Sequence, residues 1–187
     1  MGQLDILSLV AKARNLKERI EKIVPSGLSC ANGGRGGGCI VSTFALRVVA
    51  FREGLEIWPQ AGTLSWPFTD PEKDDGIRAT HFSFVWDEKK SFSYTVGMLW
   101  EMHAWAAISP DVIIDLETGD FKRLENRLLG LPWTGKDPPD YLWGIPPEGA
   151  IYNSSESAIR FLGVLHEALL EEIRRNKREE RAVPVRK

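Results

Sequence analysis

Apolar residues recur at helical spacing in three stretches of the chain. Residues 4–24 predict an amphipathic helix with Lys and Arg between the apolar positions. Residues 40–53 contain neither glycine nor proline and are apolar on most sides, which predicts a largely buried helix capped by Gly54. A third amphipathic helix is predicted from Asn153, its N-cap, with an apolar stripe that continues to Ile173.

Short segments rich in β-branched and aromatic residues occupy the middle of the chain. Their patterns predict strands at Leu55–Trp58, Gly62–Trp66, Thr80–Trp86, His103–Ile108 and Val112–Leu116. Residues 130–150 are rich in proline and aromatic residues and are predicted to be irregular. Helices at both ends and strands between them predict one α+β domain over residues 1–175, followed by a charged, flexible tail at 176–187.

Composition and charge bear on whether the protein binds nucleic acid or a membrane. The chain has 187 residues, 43% of them apolar, and a net charge of −2, so its overall charge does not indicate a nucleic-acid partner. Its apolar runs are too short to span a bilayer, and its charged N-terminal residues do not resemble a signal peptide. These features predict a cytoplasmic protein with no membrane partner.

The number and spacing of the cysteines argue against a disulfide scaffold and against a structural zinc site. The chain has two cysteines, Cys30 and Cys39, and a domain of this size without an export signal does not need a disulfide scaffold. Together with three histidines they do not form a four-ligand zinc site at a familiar spacing. We therefore expect no structural metal and no cofactor.

Cys39 lies where a glycine-rich loop meets the second predicted helix. The free N–H groups at a helix N-terminus favour an anion, and the thiolate is the nucleophilic form of cysteine. Glycines at 33–38 allow backbone N–H groups, including that of Cys39, to face a substrate oxyanion, and the side chain of Asn32 is a second candidate donor. The alternative is a small buried cysteine that only begins a core helix. A phosphate-binding loop is disfavoured because the Gly-Lys-Ser/Thr ending is missing.

His103 and Asp115 belong to two strand-like runs separated by Ser109-Pro110. A hairpin symmetric about Ser109 places the two side chains directly opposite each other on one face, with Trp105 on the same side. A carboxylate at that position fixes the tautomer of the imidazole and leaves its other nitrogen free to take a proton from a thiol. The alternative is a purely structural His–Asp pair.

Three other residues are candidates for the lining of a substrate cleft. Trp105 shares the predicted face of His103, His81 begins a predicted strand, and Trp66 ends another. Packing in the core is the competing interpretation for Trp66. His81 is also a candidate alternative base, and a structural residue at the edge of a strand is the other interpretation of it. His166 follows the apolar stripe of the last helix by one residue and is predicted to be a surface residue.

The order of these residues resembles the transglutaminase-like branch of the papain-like cysteine peptidase superfamily. The resemblance rests on GGGCIVSTFALRVVAFREGLEI and on MHAWAAISPDVIIDLETGDF, and it covers roughly residues 36–121. It implies that Cys39 is the nucleophile, that His103 is the general base and acid, and that Asp115 orients His103. It also implies an antiparallel sheet against which the cysteine helix packs. The glycine-rich approach to Cys39 departs from the family pattern, so the resemblance does not identify the oxyanion donor.

These observations favour a cysteine-dependent enzyme that acts on an amide or related acyl bond of a peptide, a protein or a small amide. Hydrolysis by a peptidase, amidase or deamidase is favoured over acyl transfer, because water is always present as an acceptor. Two alternatives remain at this point. One is a catalytically inactive module of the same fold that binds a peptide or a protein, and the other is a zinc site formed by a Cys, a His and an Asp.

Overall fold

The computed structural model describes residues 5–24, 38–70, 81–87, 102–123 and 133–182. Within these ranges the protein is a mixed structure in which helices pack against an antiparallel sheet. The α+β class predicted from the sequence is therefore confirmed. Cys30, Asn32 and the glycines before Gly38 lie outside the described residues.

The first helix, α1, spans Ile6–Ile23. The side chain of Asp5 accepts a hydrogen bond from the backbone N–H of Ser8 at 3.1 Å, which satisfies one of the free donors of the first turn. Its buried residues are Leu9, Val10, Ala13 and Ile20, which recur at the spacing of one helix face. This face packs on the second helix and agrees with the sequence prediction.

The second helix, α2, spans Gly38–Arg52 and is buried along most of its length. Gly54 follows it with a φ of 71°, in the left-handed region that glycine adopts without strain. The N–H of Leu55 bonds to the carbonyl of Ala50 at 2.9 Å, and that of Gly54 bonds to the carbonyl of Phe51 at 3.2 Å. This pattern is a Schellman motif, and it confirms the predicted cap at Gly54.

One antiparallel sheet contains the strands of the described residues, in the order β2-β1-β3-β4-β5, and β6 also pairs with β1. The strands are β1 (Trp58–Pro67), β2 (His81–Phe84), β3 (His103–Ser109), β4 (Val112–Asp115), β5 (Leu142–Gly144) and β6 (Ile151–Ser154). Residues 130–150 are thus not wholly irregular, because β5 lies within them. It pairs with β4, where Trp143 is opposite Ile114.

The predicted division of residues 55–66 into two strands is wrong, because β1 is continuous. Its first half pairs with β3 up to Gly62, opposite His103, and its next residues pair with β6 from Gly62, opposite Ser154. A Cβ at position 62 would collide with the backbone oxygen of Asn153. Gly62 therefore allows β6 to approach β1 closely and does not mark a break in the strand.

The last helix, α3, spans Glu156–Ala182. The predicted N-cap at Asn153 is wrong, because Asn153 pairs with Thr63 in the sheet and the first carbonyl of the helix belongs to Ser155, which accepts from Ile159. The helix also continues through residues 176–182, which the sequence assigned to a flexible tail. Asn176 explains part of this, since its side-chain amide donates to the carbonyl of Ile23 at the end of α1.

The two faces of the sheet have different contents. Ala61, Ala104, Ala106 and Ile114 face the helices and are almost fully buried against them. The other face is covered by an aromatic cluster whose buried members are Leu64, Trp66, Phe68, Phe82 and Phe121. Within the described ranges, no helix has both the length and the apolar character that crossing a bilayer requires.

Candidate functional site

Cys39 is the second residue of α2 and carries a free thiol that is 7% exposed. Its backbone carbonyl accepts a hydrogen bond from the Thr43 hydroxyl at 2.7 Å. The N–H groups of this first turn have no partner within the helix, and they place partial positive charge beside the sulfur. Cys39 therefore lies at the N-terminal end of a buried helix, where the sequence predicted it.

The structure brings the side chains of His103 and Asp115 together at the end of the sheet where β3 begins and β4 ends. His103 Nε2 lies 2.7 Å from Asp115 Oδ2, and each residue is only 1% exposed. In this arrangement Nε2–H donates to the carboxylate, which leaves Nδ1 for another partner. The orienting contact required for an acid–base histidine is present.

The predicted hairpin register is wrong by two residues. Ala106 is opposite Ile114 and Ala107 is opposite Ile113, whereas the prediction placed His103 opposite Asp115. The turn lies at residues 110–111 and not at Ser109, and the register shifts again at the irregularity between Ala107 and Ser109. Because the error is an even number of residues, both side chains stay on one face and meet diagonally instead of directly.

The Cys39 thiol also lies near enough to His103 to act on its pKa. Burial lowers the pKa of His103, but the charge of Asp115, its hydrogen bond and the hydrogen bond with the Cys39 thiol together raise the pKa to about 10. His103 therefore holds a proton at neutral pH. A cationic imidazole beside the sulfur stabilises the thiolate form of the cysteine.

Asp115 accepts three hydrogen bonds within the described structure. Besides His103, the Tyr152 hydroxyl donates to Oδ2 at 2.8 Å, and the backbone N–H of Glu117 donates to Oδ1 at 2.9 Å. Burial and the carboxylate of Asp115 both raise the pKa of Tyr152, so this hydroxyl keeps its proton and acts as a donor. Sequence reasoning missed Tyr152, which lies 37 residues from Asp115 in the chain and reaches it only because β6 pairs with β1.

Aromatic rings enclose the imidazole of His103. Phe84 stacks on it with ring centroids 5.3 Å apart, and Trp105 lies nearly parallel to it at 6.2 Å. Phe121 and Tyr152 contact it with their edges, at centroid distances of 5.5 Å and 6.3 Å. The rings fix the orientation of the imidazole and exclude water from the His103–Asp115 contact. Of the three polar side chains, Cys39 has the largest exposed fraction.

The predicted substrate-lining residues lie in three different environments. Trp66 is 3% exposed and packs edge-on against Phe121 and Tyr152, as a member of the aromatic cluster. His81 is exposed and lies opposite Pro67, at the end of β2 away from Phe84. Trp105 is buried under a groove of about 780 Å³ on the sheet face, which Trp58 and Tyr152 also line. Asn32, the predicted oxyanion donor, lies outside the described residues.

His166 is not a surface residue, contrary to the sequence prediction. It is 4% exposed, its Nε2 lies 3.2 Å from the carbonyl oxygen of Ile40, and its ring meets Phe44 edge-on at 5.4 Å. Burial lowers its pKa, the hydrogen bond to Ile40 opposes this, and the charge of Arg47 adds to the effect of burial, so that the pKa falls to about 4. Neutral His166 thus ties α3 to the first turn of α2, next to Cys39.

The two buried histidines predict a maximum of stability near pH 6.5. Protonated His103 stabilises the fold below its unfolded pKa of about 6.5, and this contribution is lost as the pH rises towards about 10. Neutral His166 stabilises the fold above about 6.5, and its contribution is lost as the pH falls towards about 4. Urea unfolding across this range measures both limbs. We expect His166→Gln to flatten the acid limb alone, and an acid limb that is unchanged in this variant would contradict the assignment.

No metal site is evident within the described ranges, where no group of three or more His, Cys, Asp or Glu side chains has a suitable arrangement. Comparison of the chain with family models, with curated proteins and with solved structures gives no match. The resemblance to the transglutaminase-like enzymes therefore stays a prediction.

Proposed function

We propose that the protein is a cysteine-dependent enzyme that cleaves an amide or related acyl bond through a thioester on Cys39. One observation carries this proposal: the Cys39 thiol, at a helix N-terminus, and the Asp115 carboxylate both act on His103, the carboxylate through a hydrogen bond of 2.7 Å. A nucleophile, a base in contact with it and a group that orients the base are the three parts of a thiol triad.

The reaction proceeds in two halves that balance in atoms and protons. The Cys39 sulfur attacks the substrate carbonyl, and His103 gives its proton to the leaving amine as the C–N bond breaks. Water then attacks the thioester while His103 takes a proton from it. The S–C bond breaks, the acid leaves, and the thiolate and the protonated His103 are restored. Asp115 accepts from Nε2 throughout, so that Nδ1 remains directed at the reacting atoms.

Hydrolysis is the proposed outcome in preference to acyl transfer. Cys39 is 7% exposed and His103 is 1% exposed, so a small acceptor reaches the thioester more easily than a bulky amine does. A small acyl group is for the same reason the best first probe. We further propose that the chain is transglutaminase-like, because a cysteine on a buried helix and a His–Asp pair on adjacent antiparallel strands are what that resemblance implies.

An acetyl ester such as p-nitrophenyl acetate tests the proposed function. We expect one acetyl group to accumulate on Cys39, seen by intact-protein and peptide mass spectrometry, followed by its release as acetate. Addition of a primary amine separates hydrolysis from transfer, since only a transferase forms the acetylated amine.

The chain offers matched controls for this experiment. Cys39→Ala should neither acetylate nor turn over, although its thermal unfolding should change little, since only one sulfur atom is lost. Cys30→Ala should retain the reaction. Acetylation of the two cysteines at equal rates, without turnover, would contradict the enzyme and favour a module that binds a peptide or a protein.

A further inference from the structure

A half-buried ion pair lies beside the triad and belongs to none of its steps. Lys17 Nζ of α1 lies 2.7 Å from Glu117 Oε1, with side-chain exposures of 19% and 12%. The Ser42 hydroxyl of α2 donates to the same carboxylate oxygen. Lys17 and Glu117 are 100 residues apart in the chain, so the pair joins α1 and α2 to the end of β4.

The carboxylate of Glu117 lies at the first residue of the cysteine helix. A Cβ on Gly38 would come within 2.7 Å of Glu117 Oε2. Gly38 therefore allows this carboxylate to approach the N-terminus of α2, one residue before Cys39. The backbone N–H of Glu117 also holds Asp115, so one residue contacts both the helix of the nucleophile and the carboxylate of the triad.

The charge of Glu117 acts against the chemistry proposed for Cys39 unless it is balanced. An unpaired carboxylate at this helix N-terminus would compete with the thiolate for the partial positive charge of the same N–H groups. The positive charge of Lys17 balances the negative charge of Glu117. Burial lowers the pKa of Lys17, but its charge attraction and hydrogen bond to Glu117 outweigh this and raise the pKa, so Lys17 stays protonated at neutral pH.

We propose that Lys17 and Glu117 are positioning residues of the site, which set the net charge at the N-terminus of α2 and thereby the ionisation of Cys39. The inference rests on the proposed function. It assigns no contact with substrate to either residue. Among the described residues, the titratable and charged groups around this pair are Arg14, Glu18, Glu21, Asp120 and Asp140. His103 acts with Cys39, Asp115 accepts from the N–H of Glu117, and His166 of α3 bonds to the first turn of α2.

The proposal predicts shifts of opposite sign for the two partners. Lys17→Met leaves the negative charge of Glu117 unbalanced and disfavours the thiolate. Glu117→Gln leaves the positive charge of Lys17 unbalanced and favours the thiolate, while the backbone N–H that holds Asp115 is retained. If the two residues had only a structural role, both variants would change the ionisation of Cys39 in the same direction or leave it unchanged.

The experiment is the pH profile of Cys39 alkylation by iodoacetamide, read by peptide mass spectrometry on the full chain. We expect the midpoint to move up by roughly one pH unit in Lys17→Met and down by a similar amount in Glu117→Gln. The double variant should return close to the wild-type midpoint, and Lys17→Arg should keep it. Lys12→Met is the matched control, since Lys12 pairs with Glu53 at the other end of α2, also at 2.7 Å. It should cause no shift.

The outcomes separate this inference from the proposed function. Shifts of the same sign, or no shift in either variant, would overturn the inference while a reactive wild-type Cys39 still supported the enzyme. A wild-type Cys39 that reacts like an ordinary thiol would overturn both. If Lys17→Met does not fold, the Glu117→Gln variant alone tests the inference, because only the proposed charge balance makes the loss of a half-buried carboxylate lower the midpoint.

Discussion

Asp115→Asn is expected to lower the rate of Cys39 acylation by about 10³–10⁴-fold while the protein remains folded. The amide oxygen of asparagine can still accept from the N–H of Glu117, which now donates to Asp115 Oδ1. The amide nitrogen takes the place of Oδ2 and donates to His103 Nε2. The imidazole must then carry its proton on Nδ1, the nitrogen left for Cys39, and in that tautomer it cannot take the thiol proton to form the ion pair from which acylation begins.

Two further variants make this prediction specific. Asp115→Ala leaves His103, Tyr152 and the Glu117 N–H without their buried acceptor, and we expect it to cost about 3–5 kcal/mol of unfolding free energy. Tyr152→Phe removes one of the three hydrogen bonds and leaves the tautomer of His103 unchanged, so its effect on acylation should be far smaller than that of Asp115→Asn. Equal acylation rates in the wild type and in Asp115→Asn would show that Asp115 has only a structural role.

His103→Gln is expected to slow the alkylation of Cys39 by about a hundredfold at a pH near 6, with little change at pH values well above 8.5, the usual pKa of a thiol. In the wild type the raised pKa of His103 keeps a positive charge beside the sulfur, and such a charge favours the thiolate over the thiol. Glutamine can still donate to Asp115 but carries no charge. Iodoacetamide kinetics on both proteins measure the difference.

Glutamine is the informative substitution because His103 is enclosed by aromatic rings. Alanine at this position would leave a cavity between Phe84 and Trp105, and the fold itself would suffer. Circular dichroism of His103→Gln provides the control for folding. A folded variant that is alkylated as fast as the wild type near pH 6 would refute the interaction between His103 and Cys39.

Local patterns were sufficient to predict the helices and one helix cap. The apolar spacing of α1, the absence of glycine and proline in α2 and the positive-φ position of Gly54 are all encoded within a few residues. The C-terminal end of α3 is not encoded locally, because Asn176 holds it through a contact with Ile23, which lies 153 residues away in the chain. Local charge density alone indicated a flexible tail at that point.

The residues of the candidate site also fall into two groups, those that local patterns predict and those that reach the site from distant parts of the chain. Cys39, His103 and Asp115 were found because a helix start and a hairpin are local features, and because an even register error preserves the face of a strand. Tyr152 and the Lys17–Glu117 pair were not found, since each reaches the site through pairing or packing between distant elements. His166 was placed on the surface from its position beside the apolar stripe, but the neighbouring turn of α2 covers it.

The pH dependence of wild-type Cys39 alkylation tests the central claim most directly. If His103 and Cys39 form an ion pair at the N-terminus of α2, the rate will stay nearly level from neutral pH down to about 5. It will exceed the rate of Cys30, the second thiol of the same chain, throughout that range. A rate that falls tenfold for each pH unit below about 8.5, in parallel with Cys30, would contradict the account, because Cys39 would then be an ordinary thiol.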